Sequence, residues 1–154
     1  MDKINEINAL TKECMVTALL RLMENKSYSN ISITDITNLA GVSRMAYYRN
    51  YKSKDDIFIN HLIDREKSLI SALHGETAKD LKGMILFVSG FFQENAAVIE
   101  AVYSAGLGHK LTDMLGERIY NYFPVAIADS AGKYAVPFYV GAVLAVFKKW
   151  FDNG

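Results

Sequence analysis

The run SITDITNLAGVSRMAYYRNY, residues 32–51, gathers the side chains best suited to chemistry in this 154-residue chain. Arg44 can donate two hydrogen bonds to guanine O6 and N7 in a DNA major groove. Tyr47, Tyr48 and Tyr51 offer hydroxyls that can bond phosphate while their rings pack on a scaffold. Between residues 26 and 54 the basic residues are Lys26, Arg44, Arg49, Lys52 and Lys54, against the single acid Asp35, so the stretch carries +4. The chain as a whole has 17 basic and 17 acidic residues and no net charge. Affinity for nucleic acid must therefore come from this local patch. Taken singly, an arginine or a lysine here reads as an ordinary solvated side chain. The interleaving of bases with tyrosines, at the start of a short helix, is what favours DNA contact.

Those residues need elements to position them. Apolar spacing is helical nearly everywhere, and no clear strand-like alternation competes with it. A first helix is expected over about 2–25, with an apolar stripe of Ile4, Ile7, Leu10, Cys14, Ala18 and Leu22, widened by Met15, Leu19 and Met23. Ser32 with Asp35 three residues later is an N-capping arrangement for a short helix over 33–40. Gly41 ends it, because a left-handed residue is cheap only for glycine. Ser43 caps a third helix over 44–50, and Ser53 a fourth over 54–73, with Asp55 and Asp56 set favourably against its dipole. Two short helices joined by a glycine turn form a helix-turn-helix. Ala40 is small where the helices cross, and Ile36 and Val42 fill the corner. The third helix then projects Arg44, Met45 and Ala46 outward, in a shape that fits the roughly 12 Å major groove.

At this point the chain resembles the TetR family of bacterial regulators, from about Ile4 to Ile57 and most specifically over ITDITNLAGVSRMAYYRNYKSKDDIF. The resemblance implies an all-α fold: an N-terminal three-helix DNA-binding domain with a helix-turn-helix, and a C-terminal helical bundle for ligand binding and dimerisation. It implies that Thr34 approaches the DNA backbone or a base and that Ser43 starts the recognition helix. Arg44, Met45 and Ala46 would face base edges. Tyr48 would bond a phosphate, Asn50 would sit near the backbone, and Lys54 would contact phosphate. Tyr47 stands where a residue more often packs between helices. The chain departs from the family pattern twice. Met45 replaces a glycine or small residue, and Thr34 a basic one. The ending GAVLAVFKKWFDNG also resembles that of a subgroup common in Firmicutes, in which a further helix often follows.

Beyond Gly75 the chain becomes more apolar and aromatic, with helices expected over 77–93, 96–105, 110–128 and 134–151. The shift falls near residues 52–75, giving a DNA-binding domain over 1–52 and a ligand-binding and dimerisation domain over 53–154, bridged by the fourth helix. Aromatic residues at helical spacing are more often plain core than pocket. The resemblance nevertheless implies a pocket for a small apolar ligand in this region, and Phe87, Phe91, Tyr103, Tyr120 and Phe123 are its candidates, with Glu100 and His109 as possible polar contacts. Val136, Val140, Val143, Leu144 and Phe147 form a stripe on the last helix, with Gly141 and Ala145 allowing close approach. Such a stripe packs within one chain or, as expected here, against a second copy in a two-fold dimer. A dimer lets two heads span half-sites about one helical turn apart.

Other classes find little support. His61, His74 and His109 are 13 and 35 residues apart, so no two share a helical turn as a metal pair, and no metal or cofactor is expected. The chain contains no GxSxG, Walker or GxGxxG motif, and Cys14 lies on an apolar stripe, where cysteine acts as a small hydrophobe, so an enzyme is not expected. One cysteine excludes an internal disulfide. The N-terminus MDKINEIN has no apolar signal segment, and the longest uncharged runs, 84–92 and 135–147, fall short of the roughly 20 residues that span a bilayer. The expectation is a cytoplasmic, ligand-responsive repressor that binds a palindromic double-stranded operator as a homodimer. The alternative is a co-regulator of the same fold that acts through a partner protein.

Overall fold

A computed structural model describes residues 3–72, 89–122 and 132–153. Among these the fold is all-α, with no strand. The helices are α1 (Lys3–Met23), α2 (Ile33–Ala40), α3 (Arg44–Asn50), α4 (Asp55–Ala72), α5 (described over 89–94), α6 (Ala96–Ser104), α7 (Gly108–Tyr122) and α8 (Gly132–Asn153), with a 3-10 turn at Tyr28–Asn30 before α2. The expected helix over 77–93 lies outside the described residues up to 88. The chain divides into two compact units, one up to Ala105 and one from Gly106 onward.

In the first unit α1 packs on α2, α4 and α6, α2 packs on α3, and α4 on α6. The core is built from Met15, Val16, Ala18 and Leu19 of α1, Ile36 of α2, Tyr47 of α3, Ile57, Phe58 and Leu62 of α4, and Phe92, Ile99 and Val102 beyond them. Each of the larger aliphatic and phenylalanine side chains contributes roughly 1.5–3 kcal/mol by leaving water. The expected stripe of α1 holds only in part. Ala18 is buried, Cys14 and Leu22 are half-buried, and Ile4, Ile7 and Leu10 are exposed. The apolar pattern runs the length of the helix, but the side chains it buries lie in the C-terminal half.

Polar contacts align α1 with α4. Lys12 pairs with Asp64 at 2.8 Å, and Glu13 accepts from Arg65 at 3.3 Å with His61 at 3.6 Å. Burial pushes the His61 imidazole below its usual value, outweighing the opposing pull of Glu13. Exposed pairs of this kind add at most about 1 kcal/mol each. They set register, and the apolar core holds the helices together.

The start of α4 also differs from expectation. The helix begins at Asp55, and the Asp56 side chain reaches back to the loop before it. The Asp56 carboxylate accepts the backbone N–H groups of Lys52 and Ser53, each at 2.9 Å. A first-turn acid that reaches back in this way satisfies two donors preceding the helix.

In the second unit α7 packs on α8. Leu111 and Met114 are buried on α7, and Val140, Leu144 and Phe147 on α8. Val143 is half-buried, and the side chain of Val136 lies outside the described residues. Tyr134, Phe138 and Val146 occupy the exposed side of α8. No helix among the described residues is long and apolar enough to cross a membrane.

Candidate nucleic-acid interface

The two short helices end and begin where local chemistry requires. Ser32 Oγ accepts the Asp35 N–H at 3.1 Å, and the Asp35 carboxylate accepts the Ser32 N–H at 2.9 Å and its hydroxyl at 2.8 Å. This reciprocal box fixes the first turn of α2. These hydrogen bonds, with Lys26 at 3.4 Å, hold the Asp35 carboxyl below the usual carboxylate range. Gly41 closes α2 with φ +66°, a left-handed conformation in which its N–H bonds back to Asn38 and Thr37. Ser43 then caps α3, its Oγ accepting from the Ala46 N–H at 3.1 Å. The hydroxyl hydrogen of Ser43 is not used in that bond and can still be donated.

On this frame α3 has two opposite faces. Tyr47 is wholly buried, with its ring edge-on to Tyr48 at 5.1 Å and tilted against Tyr51 at 5.7 Å. Burial raises its phenol to about 12, with Asp56 adding to the shift, so it stays neutral. The other face carries Arg44, Met45, Tyr48 and Arg49, all exposed, and Lys52 follows, also exposed. The Arg44 guanidinium donates to the Tyr48 hydroxyl at 3.4 Å, one turn along the helix. Ala46 is half-buried between the two faces. Thr34 is exposed on the first turn of α2. The face is thus cationic and phenolic, and Asp35, the one acid between residues 26 and 54, is already paired.

Two expected contact residues have prior engagements. Asn50 is half-buried and its Nδ2 donates to the Ala46 carbonyl at 2.8 Å, which leaves its amide oxygen available. Lys54 is part-buried. Its ammonium donates to the carbonyls of Tyr28 and Ile31 and lies 4.2 Å from the centre of the Tyr28 ring. One of its three N–H groups remains. Tyr28 was not singled out by the sequence reading, yet it organises this corner. Its hydroxyl donates to the Asp55 carboxylate while its carbonyl and ring hold Lys54. Burial and that carboxylate both raise the Tyr28 phenol above its ordinary value. No sequence signal marks the pairing, because the partners are 26 and 27 residues apart.

Of the candidate ligand residues, Phe91 and Tyr103 lie among the described residues. Phe91 is buried and Tyr103 half-buried. Phe87, Phe123 and the side chain of Tyr120 lie outside the described residues. Glu100 and His109 are exposed. A cavity of about 220 Å³ in the first unit is lined by His61 and Arg65 of α4 and by Glu94, Asn95, Ala97 and Val98, and includes neither Phe91 nor Tyr103. No cluster of three or more potential metal ligands occurs among the described residues.

Residues 16–60 match the sequence family described as bacterial regulatory proteins, tetR family. The matched segment contains the end of α1 from Val16, the turn at Tyr28, the whole α2–α3 corner and the start of α4. No solved structure matches the chain. The match identifies the N-terminal helices as a DNA-binding domain similar to that of the tetR regulators.

Proposed function

We propose that the protein is a ligand-responsive repressor that binds a roughly palindromic operator as a homodimer in the cytoplasm. The observation that carries this reading is the division of α3: Tyr47 faces the core while Arg44, Met45 and Tyr48 face outward, in a segment of charge +4. A helix presented this way enters the major groove with its N-terminal residues at the base edges. Residues 1–52 form the DNA-binding domain and residues 53–154 the ligand-binding and dimerisation domain. Arg44, Met45 and Ala46 meet base edges. Thr34, Ser43, Tyr48, Asn50 and the remaining N–H of Lys54 serve the sugar-phosphate backbone.

Self-association through α8 supports two heads on one operator. In this reading the expected α8 stripe is taken up within the chain at Val140, Leu144 and Phe147, and Ala142, Ala145 and Val146 on the exposed side of the helix meet the second copy. A small apolar ligand in the C-terminal region favours one spacing of the heads over another. The operator complex then weakens by the ligand's differential affinity, typically about 1–3 kcal/mol. This scheme contains no catalytic step.

Selection of bound duplexes from a random pool tests the reading, because it reports specificity, half-site spacing and symmetry together. The expected result is a palindromic consensus. Arg44→Ala is expected to cost about 1–3 kcal/mol on that sequence and to relax the preference at one base pair. An unchanged consensus for the variant removes Arg44 as a base reader. If a gel shift appears only when a partner protein is added, the protein is a co-regulator instead.

A further inference from the structure

We infer that Met45 contacts the 5-methyl group of a thymine in the base pair next to the one read by Arg44. The preferred site then carries a guanine beside a thymine. The inference rests on the DNA-binding reading above and adds to it the identity of a base step.

Met45 is 83% exposed, more than any other large apolar side chain among the described residues. A single apolar residue on a protein surface ordinarily needs no explanation. The surroundings of this one set it apart. It is the second residue of α3, flanked by exposed Arg44 and followed one turn later by exposed Tyr48 and Arg49. When a helix docks in the major groove, each base edge it covers loses water. A thioether side chain set against carbonyl or amino groups there strands them without hydrogen-bond partners. The thymine methyl is the apolar feature of the major-groove edges and tolerates such a neighbour. Methionine suits the task, since its unbranched, polarizable chain adapts to the position of a single methyl group.

The place of Met45 beside Arg44 selects the thymine in this inference. Arg44 is steadied on the outer face by the Tyr48 hydroxyl, 3.4 Å away. Met45 is the next side chain round the helix, about 100° on. The two side chains are also only about 1.5 Å apart along the helix axis, within one base-pair step, so in this inference they meet neighbouring base pairs. The core does not constrain the side chain, so substitution at this position leaves the head folded.

The test uses the full chain and the highest-affinity duplex recovered from a random pool. Each thymine is replaced in turn by deoxyuridine, which deletes one methyl group and keeps every hydrogen-bonding atom. At one thymine per half-site the wild type is expected to lose about three- to five-fold in affinity, the value of one buried methyl. That thymine adjoins the base pair at which Arg44→Ala relaxes preference. Met45→Ala, with an unchanged circular dichroism spectrum, is expected to bind the two duplexes equally. The inference is overturned if no thymine shows the effect, or if the effect persists in Met45→Ala. If the pool yields no enriched sequence, the DNA-binding reading itself fails and this inference falls with it.

Discussion

The α2–α3 corner and the α7–α8 pair solve the same problem, fixing one helix against another, by different means. In the corner each helix end is specified by its own side chains: the Ser32–Asp35 box, left-handed Gly41, and the Ser43 cap. Tyr47 then locks α3 with one large ring against two others. In the α7–α8 pair an apolar seam of Leu111, Met114, Val140, Leu144 and Phe147 does the work. Polar caps tell the chain where to turn, and they do so within three or four residues. An apolar seam provides attachment but does not by itself choose a face. On α8 apolar side chains point both inward, as Leu144 does, and outward, as Val146 does.

The sharpest way to break this contrast is at Tyr47. If the corner depends on one buried ring, Tyr47→Ala costs about 3–5 kcal/mol in denaturant unfolding. Its hydroxyl is buried without a hydrogen-bond partner. Tyr47→Phe is therefore expected to leave stability unchanged or to raise it by up to about 1 kcal/mol. A large loss in the phenylalanine variant would show that the hydroxyl, and not the ring, holds the corner.

The seam is probed next. Leu144→Ala is expected to cost about 2–5 kcal/mol, and Val146→Ala to stay within about 0.5 kcal/mol in the monomer. If the two losses are equal under conditions where the chain is monomeric, the assignment of inner and outer faces on α8 is wrong.

The smallest effect concerns pH. The folded Asp35 carboxyl titrates below its ordinary value because Ser32 donates to its charged form, with Lys26 assisting. Its contribution is thus fully present above the unfolded value, about pH 4, and is lost as pH falls through the lower folded value. The melting temperatures of wild type and Asp35→Asn are expected to differ at about pH 6 and to converge towards about pH 3. A gap that persists in acid would mean that the box does not depend on the carboxylate charge.

The corner was legible in the sequence because its determinants are near neighbours. Ser32, Asp35, Gly41 and Ser43 each act on a backbone group within a few residues, and the bounds of α2 and α3 follow from them. Residues whose partners are distant were harder to read. Lys54 looks like a free cation at a helix start, yet its ammonium is held by carbonyls more than 20 residues earlier. Asp56 reads as a charge favourable to the helix dipole, but it also closes the loop before α4. On α1, periodicity marks Ile4, Ile7 and Leu10 as equivalent to Ala18, although only Ala18 is buried. Periodicity gives the face of a helix and cannot say how far along it a neighbour extends. The outward set of α3 was visible for a related reason. Tyr47 and Tyr48 are adjacent, so on a helix one of them must leave the core.

The strap between Tyr28 and the start of α4 limits how this molecule can bend. Lys54 and Asp55 are both tied to one residue on the far side of the recognition helix in sequence, by ammonium, ring and carboxylate together. The first turn of α4 is therefore pinned to the turn that leads into α2. Under the proposed function, a pivot that re-aims α3 would then lie farther down α4 than this first turn.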